Sequence, residues 1–332
     1  MDRRAFLGTM AGGLLAAPLA AEAQQAGKVW RIGQMQEDFP IPAGQGPFYD
    51  RMRELGWIYQ RNFVMERRAF GDQIERVPDL AAELMRSGVD LFLVTGFIAA
   101  LRVQQVTRTI PIVISTSALD LVEAGLAASL GRPGGNVTGI QTLQRDLIGK
   151  QLSLLKEARP GLSRLAFLLD DPSGNEVEVR RNAASIREAE AGAKALRVQV
   201  QIVTVRRADD FDAAFSAFRD QRVQGLLVLR SPFIFAHRKT VVALALKHRL
   251  PTVSEIFGFA VEGGLMSYGF DFRETGRLLA EIIDKILRGT KASEIPIQQP
   301  TTFQLVINLK TAKALGLTIP PSLLGRADEI IQ

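Results

Sequence analysis

The chain has no cysteine and only two histidines, His237 and His248, among its 332 residues. Without cysteine there is no thiol nucleophile, no thiolate-bound zinc and no iron–sulfur cluster. The two histidines form no His-x-x-x-His pair, which disfavours a metal centre and leaves little for a catalytic triad. No nucleophile elbow is present, because Gly264-Leu-Met-Ser267 has the wrong spacing. Gly149-Lys150 is followed by Gln151 and lacks the upstream glycine of a phosphate loop, and Gly44-Gln-Gly46 lacks the third glycine of a dinucleotide fingerprint. Runs of like charge are absent too. The net charge of +6 is spread over pairs such as Arg67–Arg68, Arg180–Arg181 and Arg206–Arg207, which read as solvated surface. No run of about 18 apolar residues follows the N-terminus, so no membrane span is expected there. What remains, at 47% hydrophobic and 23% charged, is an ordinary globular composition long enough for about two domains.

The N-terminus reads as a targeting segment. Arg3 and Arg4 precede a weakly apolar stretch to Ala20, and Ala21-Glu-Ala23 is a small-residue cleavage pattern before Gln24. Residues 1–23 are therefore expected to be a signal peptide, with the Arg-Arg-Ala-Phe-Leu run resembling a twin-arginine signal. Its removal takes Arg3, Arg4, Asp2 and Glu22 and leaves the charge at +6. No lipid-anchoring cysteine follows, and the expected location is the periplasm. An exported protein meets no DNA, so nucleic acid is not an expected partner.

Beyond residue 28 strand and helix signals alternate. Val77, Leu80, Ala81, Leu84 and Met85 make one apolar helical stripe, ended by Gly88. Leu91-Phe-Leu-Val94 is a continuous apolar run of the kind buried on both faces of a parallel sheet. Further strands are expected at 31–36, 63–67, 110–114, 164–169, 198–205, 225–229 and 251–253. Helices are expected near 47–55, 99–106, 147–158, 178–195 and 236–247. Asp209 is expected to cap a helix carrying Phe211, Ala214, Phe215 and Phe218. Asp271 and Glu274 read as a capping pair for another. The fold class is thus α/β, with two doubly wound parallel-sheet lobes. Ligands of such sheets bind beyond the carboxyl ends of the strands. Those ends carry Gln36, Thr95-Gly96, Ser115-Thr116-Ser117, Asp170-Asp171, Arg230-Ser231 and Glu255. Short polar side chains and helix N-termini there suit small polar or anionic groups. Asp170–Asp171 reads as helix capping or a ligand-amine contact before catalysis, and Trp30 and Trp57 read as structural. Arg230 can grip a carboxylate bidentately or pair with a neighbouring acid.

Several stretches then recur as a set: Glu54-Leu-Gly-Trp57, Ala81-Ala-Glu-Leu84, Thr109-Ile-Pro-Ile-Val113, Arg132-Pro-Gly-Gly-Asn-Val-Thr-Gly139, Gly263-Gly-Leu-Met-Ser-Tyr-Gly269 and the tail Phe303–Leu317. Together they closely resemble the ABC transporter substrate-binding proteins of the tryptophan/aromatic-amino-acid-binding-like family, over nearly the whole chain. The resemblance implies a type I periplasmic binding fold whose lobes are joined by a three-segment hinge. Crossings would fall near Gly139–Gln141, Ser267–Tyr268 and Gln299–Phe303. Lobe 1 would be 28–140 plus 269–298, and lobe 2 would be 141–267 plus 299–332. Two stretches depart from the family pattern. Ser115-Thr-Ser-Ala-Leu-Asp120-Leu-Val stands where members usually read Ser/Gly-Asp-Pro-Val, and Arg230-Ser231-Pro232-Phe233 stands where Pro-Asp is frequent.

The function so implied is a non-catalytic periplasmic receptor of an ABC importer. It would be a monomer without cofactor or metal, delivering a small amino acid or aromatic carboxylate to an inner-membrane permease. The candidate ligand-binding set is Gln36, Thr95, Gly96, Phe97, Ser115, Thr116, Ser117, Asp120, Asp170, Asn175, Arg230, Ser231, Glu255 and Tyr268. Thr95, Gly96 and the Ser115–Ser117 run would donate to a carboxylate. Asp120 or Asp170 would accept from an amine or hydroxyl, and Phe97, Phe233 and Phe257 would pack on an apolar body. The alternatives are a periplasmic sensor feeding a signalling partner, and an exported hydrolase using Asp170 with Glu255.

Overall fold

The computed structural model describes residues 28–332 apart from 39, 40, 118, 143, 144, 172–175 and 257. The expected signal peptide, Asn175 and Phe257 lie outside the described residues. The strands are β1 Trp30–Gln36, β2 Phe63–Ala69, β3 Leu91–Thr95, β4 Ile112–Thr116, β5 Val137–Gly139 and β6 Arg164–Asp170. They continue with β7 Gln199–Val205, β8 Gly225–Val228, β9 Thr252–Ser254, β10 Met266–Phe270, β11 Phe303–Asn308 and β12 Glu329–Ile331.

They form two sheets. The first, in order β2-β1-β3-β4-β5, is wholly parallel. The second has the order β12-β11-β10-β9-β8-β6-β7. Its β7-β6-β8-β9-β10 part repeats the order of the first sheet. β11 then pairs antiparallel with β10, a departure from the all-parallel expectation, and β12 returns parallel to β11.

The central strands of each sheet are buried on both faces, and the apolar runs explain it. Along β3, Phe92 and Val94 enter one core with Met35, Ile112 and Ile114, whereas Leu91 and Leu93 enter another with Ile32 and Val113. Strand alternation sends successive side chains to opposite faces, so a continuous apolar strand feeds two helix layers. In the second sheet, Leu165, Phe167 and Leu169 of β6 go one way and Ala166 and Leu168 the other. Each fully buried Leu, Ile or Phe contributes about 1.5–3 kcal/mol, and strands and helices share these cores.

The helix Phe272–Leu287 follows β10 but packs in the first lobe, where Leu279, Ala280, Ile283 and Ile286 join Ile32, Tyr49 and Met52. Gly276 permits this seat. A Cβ there would come within 3.0 Å of the Phe48 nitrogen and of Pro47, at the start of the helix Pro47–Glu54.

The chain passes between lobes three times: after Gly139, at Phe270–Asp271, and over Gln298–Thr302. Gly139 has φ +140, and a Cβ on it would meet the Ile114 carbonyl oxygen at 2.3 Å, so only glycine lets β5 leave β4 here. The crossings are laced together by Gln141 N–H to the Gln298 carbonyl at 2.9 Å and Asp271 N–H to the Thr302 carbonyl at 3.0 Å. The second crossing comes later than expected, because Ser267 and Tyr268 lie inside β10, opposite Val306 and Leu305.

Two capping expectations are corrected. Asp271 does accept from Arg273 N–H at 2.7 Å, but Glu274 does not close a capping box. Its carboxylate accepts instead from Thr301 N–H at 3.2 Å and Thr302 N–H at 2.9 Å on the third crossing. Asp209 makes no capping bond to the helix Asp210–Asp220. It is Asp210 that accepts from Arg206 and Arg207 N–H, at 2.8 and 3.0 Å. The expected 236–247 helix is two helices, Pro232–Ala236 and Arg238–Lys247, broken at His237.

Candidate functional site

Parallel strands bring their carboxyl ends to one edge, and in the first lobe that edge faces the second. Gln36, Thr95, Ser115 and Thr116 gather there around the switch point between β1 and β3, where the strand order reverses. The Thr95 and Ser115 hydroxyls lie 2.8 Å apart, and those of Thr116 and Thr142 3.0 Å apart. Gly96, at φ 86, opens the helix Phe97–Val106 with no side-chain cap.

A cavity of about 280 Å³ lies between the lobes. The first lobe lines it with these polar ends and with an apolar shelf of Ile41, Pro42, Phe48, Tyr49, Met65 and Phe97, together with Phe272 and Leu279. Arg67, at the outer end of β2, also lines it, held by Gln34 at 3.1 Å and the Ile41 carbonyl at 2.9 Å. Burial pulls its guanidinium below the ordinary arginine value. The second lobe contributes Leu147, Arg181, Arg230, Pro232, Phe235 and Glu255.

The second wall is ordered by charge. Glu255 accepts from Arg230 N–H at 2.9 Å and from the Gln151 amide at 3.3 Å. Burial raises its pKa, and the pull of Arg181 and Arg230 the other way does not cancel that. Gln151 also donates to the Tyr268 carbonyl at 2.9 Å, tying β10 to this cluster. Arg181 donates to the Arg230 carbonyl at 3.1 Å and lies 3.9 Å from the Asp170 carboxylate.

Among the described residues, two arginines then form ion pairs across the lobes. Arg230 reaches Glu37 Oε1 at 3.1 Å. Arg238 reaches Asp38 at 2.9 Å while Glu262, at 3.1 Å, and the Phe235 carbonyl, at 2.8 Å, hold it from its own lobe. Both guanidiniums lie against the Phe235 ring, at 5.0 and 4.3 Å from its centroid.

Of the residues expected at the site, Gln36, Thr95, Gly96, Phe97, Ser115, Thr116, Arg230 and Glu255 line the cavity. The Gly96 amide, expected to donate to a ligand, donates to the Thr116 carbonyl at 3.1 Å. Ser117, Asp120, Asp170, Ser231 and Tyr268 do not line it. Ser117 is buried and bonded to Leu119 at 3.0 Å. Asp120 holds a turn through Val122 and Glu123 N–H at 2.8 and 3.2 Å. Ser231 caps the helix Pro232–Ala236 through Ile234 N–H at 3.1 Å. The Tyr268 ring stacks on Phe303 at 5.9 Å, and Phe233 stacks on Phe211 at 5.7 Å inside the second lobe. The carboxylate pair of the hydrolase reading is therefore not assembled at the cavity, since only Glu255 lines it.

Sequence reasoning passed over Glu37, Arg67, Arg181, Tyr49 and Phe235. Glu37 is one residue beyond a named strand end, so its position was legible. Arg67 and Arg181 belong to basic pairs read as solvated surface. Only Arg206–Arg207 is fully so, whereas one member of each other pair turns inward. The expected structural tryptophan does occur at Trp57, whose indole donates to Asp284 at 2.7 Å. Among the described residues there is no cluster of three metal-ligating side chains, and no helix is long and apolar enough to cross a membrane.

Two doubly wound lobes, three crossings and a shared cavity make up the type I periplasmic binding fold. Residues 50–331 match the family model for the ABC transporter substrate binding protein, and the chain belongs to that family. It is 23% identical over 286 residues to a tyrosine-binding protein of Clostridioides difficile (strain R20291), covering 86% of this chain and 80% of that protein. Two crystal structures share its fold at 22% identity, each covering 92% of this chain. One is a conserved domain protein from Vibrio cholerae, with a TM-score of 0.77 and 99% of that chain covered. The other is an ABC domain from Streptococcus pneumoniae in complex with L-Trp, with a TM-score of 0.76 and 100% of that chain covered.

Proposed function

We propose that this protein is an exported receptor of an ABC importer. It captures an amino acid or aromatic carboxylate between its lobes and delivers it, as a monomer, to a permease in the inner membrane. The observation that carries this reading is the cavity itself: it is lined by strand ends of both lobes and divided between an aromatic shelf and a charged wall. A ligand touching both walls stabilises the closed arrangement by its differential contacts. The Thr95, Ser115 and Thr116 hydroxyls are placed to donate to a carboxylate, next to the positive end of the Phe97–Val106 helix. Phe48, Tyr49, Phe97 and Phe235 flank an apolar body. The tyrosine-binding relative and the L-Trp complex support an aromatic amino acid. The Ala-Glu-Ala cleavage pattern supports export.

The test is a thermal-shift screen of the purified protein, unfolded and refolded to strip carried-over ligand. The panel holds amino acids, aromatic carboxylates, short peptides, sugars and nucleosides. At about 100 times its dissociation constant a true ligand adds about 2.7 kcal/mol of stability. A shift with aromatic amino acids or carboxylates alone is the expected result. A shift only with sugars or nucleosides, or with none of the panel, overturns the ligand class. Turnover of a bound compound overturns the receptor reading.

A further inference from the structure

Two acidic side chains line the cavity among the described residues, and they are differently employed. Glu255 has both carboxylate oxygens engaged, by Arg230 N–H and by Gln151. Glu37, directly after β1, is 1% exposed in its side chain, and its Oε1 accepts from Arg230. Its Oε2 is buried with no hydrogen-bond partner among the described residues. A buried carboxylate oxygen left without a donor carries the cost of its lost hydration. Neither acid expected from the sequence to receive an amine can fill this role at the cavity, because Asp120 and Asp170 do not line it.

We propose that Glu37 is the acceptor for a protonated amine on the ligand, so that the receptor selects zwitterionic aromatic α-amino acids over the same compounds lacking the amine. This rests on the aromatic-ligand reading above and sharpens it. The geometry supplies both halves of a zwitterion site. The hydroxyls of Thr95, Ser115 and Thr116 offer donors at the ends of β3 and β4. Glu37 offers an acceptor at the end of the neighbouring β1. The guanidinium of Arg230, 3.1 Å from its Oε1, holds the Glu37 side chain in place, so the ammonium meets a preset carboxylate rather than an adaptable loop. An ion-assisted hydrogen bond of this kind is worth about tenfold or more in affinity.

The experiment compares L-tryptophan with 3-(indol-3-yl)propanoate, and L-tyrosine with 3-(4-hydroxyphenyl)propanoate, by calorimetric titration of the wild-type protein and of Glu37→Gln. Wild type is expected to prefer each amino acid by at least about tenfold, and Glu37→Gln to abolish that preference by weakening the amino acid. The readout is the ratio, because Glu37 also joins the lobes. A purely structural role lowers both affinities together and leaves the ratio unchanged, which overturns the assignment. Equal wild-type binding of a pair also overturns it while leaving the aromatic-ligand reading intact. Binding of none of the four compounds overturns both. Glu37→Asp, which keeps the charge, retains the preference and serves if Glu37→Gln does not fold.

Discussion

The two walls of the cavity are built from different chemistry. The first lobe presents hydroxyls and hydrocarbon: Thr95, Ser115 and Thr116 above a shelf that includes Phe48, Tyr49 and Phe97. The second presents guanidiniums and a carboxylate, Arg181, Arg230 and Glu255, with the rings of Phe235 and Phe270. The first wall carries charge at Arg67 and Glu37 among the described residues, and its remaining neutral groups can hold a small molecule's shape without demanding a partner. A wall of charge is costly to bury unless something opposite neutralises it. The first lobe supplies that opposition at one corner, through Glu37 and Asp38.

The sharpest way to break this comparison is Arg230→Ala. It strands the buried Glu37 carboxylate, and breaking such a pair costs about 3–5 kcal/mol. Arg230 keeps 18% of its side chain exposed, so the lower end applies. Affinity for L-tryptophan or L-tyrosine, whichever the screen identifies, is expected to fall by about a hundredfold or more in calorimetric titration. Unchanged affinity would make the second wall's charge scaffolding only.

Arg238→Ala tests the same wall away from the cavity. Its partner Asp38 is 42% exposed, which weakens the pair through solvent screening. A loss of about tenfold at low salt is expected, shrinking as ionic strength rises past the point where the Debye length falls below about 10 Å. A salt-independent loss would point to packing against Phe235 instead.

The smallest effect belongs to the first wall. Thr95→Val removes one neutral hydroxyl bonded to Ser115, and such bonds contribute about 0.5–1.5 kcal/mol. About a threefold loss is expected by the same titration. A loss larger than that of Arg230→Ala would reverse the assignment of roles between the lobes.

Much of this arrangement was written in local pattern. Leu91-Phe-Leu-Val94 and Leu165–Leu169 declare themselves as two-faced strands, because nothing polar interrupts them. Their carboxyl ends follow from the parallel topology, which is why Thr95, Ser115 and Arg230 were legible. The second lobe's Asp170, Ser231 and Tyr268 stand outside the cavity lining for a common reason. A polar group at a strand end can serve the fold as readily as a ligand, and here Asp170 lies by Arg181, Ser231 caps a helix and Tyr268 stacks on Phe303. Spacing does not carry that choice; the neighbour in three dimensions does. The strands β10 and β11 escaped because Met-Ser-Tyr-Gly-Phe and Phe-Gln-Leu-Val-Ile-Asn are short, mixed segments whose pairing partner lies more than thirty residues away.

The Glu274 carboxylate has a mechanical consequence. It grips two successive amides, Thr301 and Thr302, from the first turn of a helix anchored in the first lobe. A peptide segment clamped at two adjacent nitrogens loses most of its torsional freedom. The Glu274 carboxylate thereby ties the third crossing to the first lobe, and the bonds from Gln141 to Gln298 and from Asp271 to Thr302 tie the other two crossings to the third.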